Sequence, residues 1–267
     1  MHRGTIPLGE LRGPFDLQST VESGQSFRWS RVDGRTYEES DAYGGEAWYA
    51  TVLRSEEAGT AGRGPEVLRV RQVEDRLEWE ASFDAEATLR DRLRLDDDLS
   101  AIRAATPSDP LLETAFDRYW GLRLVRDPPF ETLIAFICSA QMRIGRIHEM
   151  QRAIEERFGE PVTFDGETYH AFPTPERLAA ATEDELRDLG LGYRAPYVQR
   201  TAQMVAEGEA DPNVASDMAY EDAREYLTRF VGVGEKVADC VLLFSLGFLE
   251  AVPLDTWIRS TIEEYYP

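Results

Sequence analysis

The spacing of apolar positions changes partway along the chain. Up to about residue 82 they come in short runs broken by turns, as in Ala47-Trp48-Tyr49-Ala50-Thr51-Val52-Leu53 and Val67-Leu68-Arg69-Val70-Arg71-Gln72-Val73. The second run alternates with period two, the mark of a half-buried strand. Between them Ala58–Pro65 reads as a glycine-rich loop. From about Ala85 the spacing becomes three-to-four, which predicts helices over 85–94, 109–120, 129–140, 144–158, 175–188, 195–207, 219–230, 235–248 and 255–265. Ser108-Asp109-Pro110 and Thr174-Pro175 supply helix starts, and Thr182 precedes Glu185 as in a capping box. The expected fold is α+β, with an antiparallel β-sheet domain over 1–84 followed by an all-helical domain over 85–267. No internal repeat is visible.

The segment 219–248 reads as a helix-hairpin-helix. One amphipathic helix ends near Arg229-Phe230, Val231-Gly232-Val233-Gly234 follows, and a second helix begins at Glu235-Lys236. Gly232 and Gly234 allow a sharp turn and a close backbone approach. The amides opening the second helix are suited to a phosphate oxygen. A Gly-x-Gly turn alone is equally the mark of a structural hairpin.

Composition sharpens this picture at one position. The chain carries 29 basic residues, and its only lysine is Lys236. Arginine stays protonated at any workable pH, whereas a lysine amine can lose its proton and attack carbon. Lys236 falls in the first turn of its helix, where the dipole disfavours a cation by up to about 1 kcal/mol. Val237, Ala238, Val241 and Leu242 surround it with apolar groups. Such a lysine is misplaced unless its neutral form is wanted. Further on, Asp255 follows Val252-Pro253-Leu254 and reads as a helix N-cap. Beside a reactive amine it becomes a candidate to stabilise a sugar cation.

Fifty acidic residues give a net charge of −21. Taken alone, that opposes nucleic-acid binding, which draws on Lys and Arg contacts to phosphate. In concentrated salt, however, the Debye length shrinks to roughly 3 Å at 1 M. The excess is therefore read as adaptation to a saline cytoplasm, compatible with DNA. No apolar run approaches the ~20 residues of a membrane span, and the N-terminus lacks a secretory core. Cys138 and Cys240 show no metal-type spacing and no disulfide framework. A monomeric, cytoplasmic protein is expected.

Val231-Gly232-Val233-Gly234-Glu235-Lys236-Val237-Ala238-Asp239-Cys240, with Val252-Pro253-Leu254-Asp255 beyond it, resembles the helix-hairpin-helix DNA glycosylase superfamily, closest to its 8-oxoguanine DNA glycosylases. Further matches, in the same order as in that family, are Ser23-Gly24-Gln25-Ser26-Phe27-Arg28-Trp29, Phe136-Ile137-Cys138-Ser139, Ile144-Gly145-Arg146-Ile147, Tyr169-His170-Ala171-Phe172-Pro173 and Leu189-Gly190-Leu191-Gly192-Tyr193-Arg194-Ala195. The resemblance implies a glycosylase and abasic-site lyase acting on double-stranded DNA with a damaged base. Lys236 would form a Schiff base and Asp255 would stabilise the sugar cation. The Gly24 carbonyl would read the ring nitrogen that is protonated in 8-oxoguanine, with Cys240 and Phe27 against the extruded base. Arg146 and Arg194 would bond the orphaned cytosine, Tyr193 would wedge beside it, and Gln141 would fill the gap where the family usually has asparagine. Gly232 and Gly234 would meet phosphate. No metal or organic cofactor is implied, although a monovalent cation on the hairpin carbonyls is compatible with the family.

The chain also departs from the family. Val231 replaces a proline, and Trp257 stands where an imidazole often contacts phosphate. The chain ends at Tyr265-Tyr266-Pro267, where relatives continue into a helix that closes the base pocket. Either the chain is incomplete or its pocket closes differently. By residue type alone, Cys240 and Tyr193 read as core and Arg146 and Arg194 as surface. The rival readings are a monofunctional glycosylase for alkylated bases, a non-catalytic DNA-binding module, and a structural protein with an incidental lysine.

Overall fold

The computed structural model describes residues 1–60 and 64–266, so residues 61–63 of the glycine-rich loop lie outside the described residues. The chain divides into two compact units. The first comprises Met1–Arg126 with Gly159–Phe172, and the second Asp127–Phe158 with Pro173–Pro267.

The first unit is built on a five-stranded antiparallel sheet. Its strands are β1 (His2–Pro7), β2 (Ser30–Arg31), β3 (Tyr49–Leu53), β4 (Glu66–Val73) and β5 (Arg76–Ala81), in the order β1-β5-β4-β3-β2. Period-two alternation puts Leu77, Trp79 and Ala81 of β5 into the core, while Arg76, Glu78 and Glu80 stay less buried. The β4–β5 register sets Arg71 opposite Glu78, and the two close an ion pair at 2.6 Å. Short helices α1 (Leu17–Val21), α2 (Glu86–Arg92), α3 (Leu99–Ala105) and α4 (Pro110–Arg118) complete the first stretch.

Strands do give way to helices near residue 85, as the spacing predicts. Compactness nevertheless groups the chain differently from a division at 84/85. Leu89, Leu93 and Leu95 bury in the same apolar cluster as Ile6, Leu68 and Trp79. The first helices are thus part of the sheet's core, and the unit runs on to Arg126.

A hairpin of β6 (Pro161–Phe164) and β7 (Glu167–His170) returns to this unit from later in the chain. Its two-residue turn, Asp165-Gly166, takes positive φ at both positions (54° and 82°), the geometry that suits a tight hairpin. Phe164 and Ala171 bury against Val52 and Val67, and Arg69 bonds Asp165 at 2.8 Å.

The second unit is helical: α5 (Pro129–Cys138), α6 (Ile144–Phe158), α7 (Pro175–Ala179), α8 (Glu183–Asp188), α9 (Ala195–Ala206), α10 (Tyr220–Leu227), α11 (Glu235–Val241) and α12 (Thr256–Tyr265). Every residue of α5 from Glu131 to Cys138 is buried, as expected of a helix that is apolar on all sides. The predicted helix over 175–188 is two helices, because Thr182 starts a new one with the expected capping box on Glu185. The predicted helix over 235–248 keeps α-geometry only to Val241. It widens into a π-type turn over Leu242–Leu246 and stops at Gly247, where φ is 80°. Backbone outside the helix satisfies this turn: Asp127 N–H donates to the Phe244 carbonyl at 2.9 Å, and Ser245 Oγ donates to the Asp127 carbonyl at 2.6 Å. Among the described residues, no helix is long and apolar enough to cross a membrane.

Candidate functional site

Lys236 lies in the first turn of α11 and is half-buried. Its Nζ donates to Ser139 Oγ at 3.2 Å and stands 5.0 Å from the centre of the Phe136 ring. Both partners come from the C-terminal end of α5, where helix carbonyls gather negative partial charge. Cys240, one turn further along α11, shares the face of Lys236. Burial pushes the Cys240 thiol up to about 12, with the Lys236 amine opposing that shift and the Asp255 carboxylate adding to it.

Asp255 is the N-cap of α12, and its Oδ1 accepts from the Ile258 N–H at 2.8 Å. This is the capping position expected from its sequence context. The cap uses one carboxylate oxygen and leaves acceptor capacity on the other.

The hairpin turn is held from both sides. Asp239, three residues after Lys236 on α11, accepts from Tyr220 Oη at 3.0 Å and pairs with Arg224 at 3.4 Å. Arg224 also pairs with Glu235 at 2.7 Å, so α10 is tied to the start of α11. Burial raises the Asp239 carboxyl above its ordinary value, opposed by the Tyr220 hydroxyl and the Arg224 charge. Of the two turn glycines only Gly232 takes positive φ, at 86°. A Cβ there would stand 2.9 Å from the Tyr197 ring, so the turn needs glycine for two reasons. Gly234 has extended backbone as the N-cap of α11, and a Cβ there would meet nothing within 4 Å. Its surroundings within the protein therefore do not demand glycine.

The remaining candidates of this unit lie on neighbouring segments. Gln141 is exposed in the α5–α6 turn with φ of 56°, a left-handed conformation that costs a non-glycine residue about 1 kcal/mol or more. Arg146, on α6, pairs with Glu149 at 2.6 Å, and its guanidinium lies against Gly190, whose φ of 87° favours glycine. Tyr193 is 56% exposed and meets Tyr197 edge-on, with ring centres 6.3 Å apart. Tyr197 therefore links the exposed ring to the Gly232 turn, a role that sequence reading missed. Its signal was the four-residue step from Tyr193, which puts both rings on one helical face. Arg194 is only 3% exposed: its guanidinium packs over the Tyr193 ring at 4.3 Å and donates to the Ala140 carbonyl.

Gly24 and Phe27 belong to the first unit. Gly24 has φ of 84° and Phe27 is buried. The loop between them is fixed by Gln25, another residue whose role sequence reading missed. Gln25 Nε2 donates to the carbonyls of Arg123 (2.7 Å) and Thr20 (3.3 Å), while its Oε1 accepts from Val125 N–H at 3.0 Å. Buried polar side chains are bonded, and Gln25 meets that need by clamping backbone.

Among the described residues, no three His, Cys, Asp or Glu gather as a metal site. The Phe230 and Val231 carbonyls each accept one hydrogen bond, from Val233 N–H and Thr201 Oγ1.

Comparison with known proteins gives a consistent result. Residues 8–133 match the family described as 8-oxoguanine DNA glycosylase, N-terminal domain. Residues 134–267 match the HhH-GPD superfamily base excision DNA repair protein family. The chain is 35% identical over 266 residues to the N-glycosylase/DNA lyase of Saccharomyces cerevisiae, covering 94% of this chain and 68% of that protein. It is 34% identical over 290 residues to a probable N-glycosylase/DNA lyase of Methanothermobacter thermautotrophicus, covering 98% and 85%. Among solved structures, the Clostridium acetobutylicum 8-oxoguanine glycosylase/lyase, in complex with double-stranded DNA containing cytosine opposite the lesion, superposes with a TM-score of 0.81 at 28% identity. That match covers 96% of this chain and 81% of the other.

Proposed function

Because the chain belongs to the HhH-GPD superfamily of base-excision DNA repair proteins, with an 8-oxoguanine DNA glycosylase N-terminal domain ahead of that module, we propose that it excises 8-oxoguanine from double-stranded DNA and then cleaves the strand as a lyase. One observation carries this reading. The only lysine of the chain is seated beside Cys240 in the first turn after the Gly232–Gly234 turn, with its amine held by Ser139.

The damaged nucleotide must leave the stack before its glycosidic bond can be reached. The Lys236 nitrogen then attacks C1′ with its lone pair, forming a C–N bond. The bond from C1′ to the base breaks, and its electron pair leaves with the base, which takes up a proton. Asp255 stabilises the positive charge that develops on the sugar between these events. Loss of an amine proton and opening of the C1′–O4′ bond give the Schiff base and a 4′-hydroxyl. Removal of a C2′ proton then expels the 3′ strand as its phosphate. Water then hydrolyses the C=N bond, releasing the unsaturated aldehyde and returning the Lys236 amine.

Recognition follows the family pattern. In that pattern the Gly24 carbonyl would accept from the ring N–H that guanine lacks, and Phe27 and Cys240 would each meet the extruded base. Gln141, Arg146, Tyr193 and Arg194 address the space and the cytosine left behind, and the amides around Gly232 and Gly234 meet phosphate. The net charge of −21 fits work at molar salt, where screening limits repulsion from DNA.

The test is borohydride trapping in molar salt on two duplexes, one with 8-oxoguanine opposite cytosine and one with an abasic site. Adducts on both, absent in Lys236→Gln, are expected. An adduct on the abasic duplex alone would keep the lyase and reject the lesion. Absence of any adduct from folded protein would leave a DNA-binding module, and trapping by Lys236→Gln would remove the nucleophile.

A further inference from the structure

Ser139 has no part in the chemistry described above, yet its hydroxyl oxygen is in contact with the attacking amine, beside the Cys240 thiol. It closes α5 as the C-cap, and two of its groups turn back to one carbonyl. Its backbone N–H donates to the Phe136 oxygen at 3.1 Å, and its Oγ donates to the same oxygen at 2.7 Å. A serine hydroxyl has one proton and two lone pairs. With the proton committed to Phe136, Oγ can offer Lys236 only a lone pair, so Nζ must be the donor in the 3.2 Å contact.

We propose that Ser139 is the positioning residue for the nucleophile: by fixing one N–H of the Lys236 amine, it sets the direction in which the nitrogen lone pair points. An amine nitrogen is tetrahedral, so an N–H tied to Oγ leaves the lone pair at a fixed angle from that line. The Phe136 ring, 5.0 Å from Nζ and stacked on Phe244 at 5.7 Å, walls another side. Cys240 lies along the same face of α11 and remains a thiol, because burial holds it protonated. Without the Ser139 oxygen the amine would keep its place beside Phe136 and Cys240 but would lose the acceptor that fixes one of its N–H directions. A neutral amine has equivalent protons and a mobile stem, so direction is what a lysine nucleophile lacks and what a fixed acceptor supplies. Both atoms of the contact belong to the second unit, and α5 and α11 are among its most buried helices. The seat is therefore rigid.

This inference rests on Lys236 being the nucleophile, and the experiment separates the two claims. Single-turnover borohydride trapping on an abasic-site duplex is measured with the parent, Ser139→Ala, Ser139→Thr and Lys236→Gln, together with duplex affinity and unfolding temperature. Loss of trapping in Lys236→Gln secures the nucleophile whichever way the serine variants fall. Ser139→Ala keeps the backbone bond to Phe136, so the α5 terminus survives. It is expected to trap about tenfold to a hundredfold more slowly at unchanged duplex affinity. Ser139→Thr, which keeps a hydroxyl, is expected to recover most of that loss. Parental trapping by Ser139→Ala overturns the proposal. So does a loss matched by weaker DNA binding or a lower unfolding temperature, which would mark a helix cap and nothing more. Equal slowing in Ser139→Thr would show that the hydroxyl is not the cause.

Discussion

Helix α11 buries five of its seven residues and holds Lys236 against Ser139, whereas α12 buries none of its ten and presents Asp255 through one hydrogen bond to Ile258. The two groups proposed to act on the same sugar are thus supported differently. A nucleophile must reach carbon along one line, and an error of an ångström is costly. A carboxylate stabilises positive charge through a Coulomb term that falls only as the inverse of distance. A packed core suits the first task, and a capped helix start is enough for the second.

Removing charge without removing the cap gives the sharpest test of this contrast. Asparagine caps helices as well as aspartate does, so Asp255→Asn keeps the bond to Ile258. Excision is expected to slow by about a hundredfold to a thousandfold, the scale of losing one preorganised electrostatic partner, with no change in unfolding temperature. Unchanged excision kinetics would make Asp255 a cap alone.

Equivalent truncations should separate the two helices next. Leu242, fully buried just beyond α11, should cost about 2–5 kcal/mol as Leu242→Ala in urea denaturation. Ile262→Ala on α12 should stay within about 0.5 kcal/mol, because Ile262 is already exposed. Similar losses at both positions would show that α12 has a packed partner in solution.

At pH values just above 9.0 a smaller effect should appear. Burial raises the Cys138 and Cys240 thiols from an ordinary 9.0 to about 12, so the folded state holds these protons more tightly than the unfolded chain does. Their contribution to stability is complete below pH 9.0 and is lost as pH rises towards 12, by at most about 1.4 kcal/mol per pH unit for each thiol. Denaturation series from pH 8 upward check this, and a thiol rapidly alkylated in native protein at pH 8 would refute it. The smallest change is expected from Trp257→Ala. Trp257 is 81% exposed on α12, so stability should move by less than about 0.5 kcal/mol in the same assay.

Much of this contrast was legible in the residues. The lone lysine, its place after Gly-x-Gly and the capping context of Asp255 all follow from type and spacing. So do the sheet-then-helix order and the Thr182 capping box. Other features depend on distant partners and were not visible. The π-type turn after Val241 exists because Asp127 supplies an outside donor and acceptor, which no local periodicity announces. The α5 end meets Lys236 from 97 positions away in sequence, so Ser139 could not be read as its acceptor. The Asp165-Gly166 turn did carry a local hairpin signal, but it sits among helices, where period-two alternation over four residues is easily passed over.

That hairpin bears on how the molecule is made. A ribosome releases the chain from its N-terminus, and domains generally fold as units as they emerge. The sheet's own strands are all available once Ala81 has appeared, yet Val52 and Val67 find Phe164 and Ala171 only after α5 and α6 have been synthesised. The first unit therefore stays unfinished while the opening helices of the second wait for α9 to α12. A nascent protein arrested between residues 126 and 159 should be the form most in need of a chaperone.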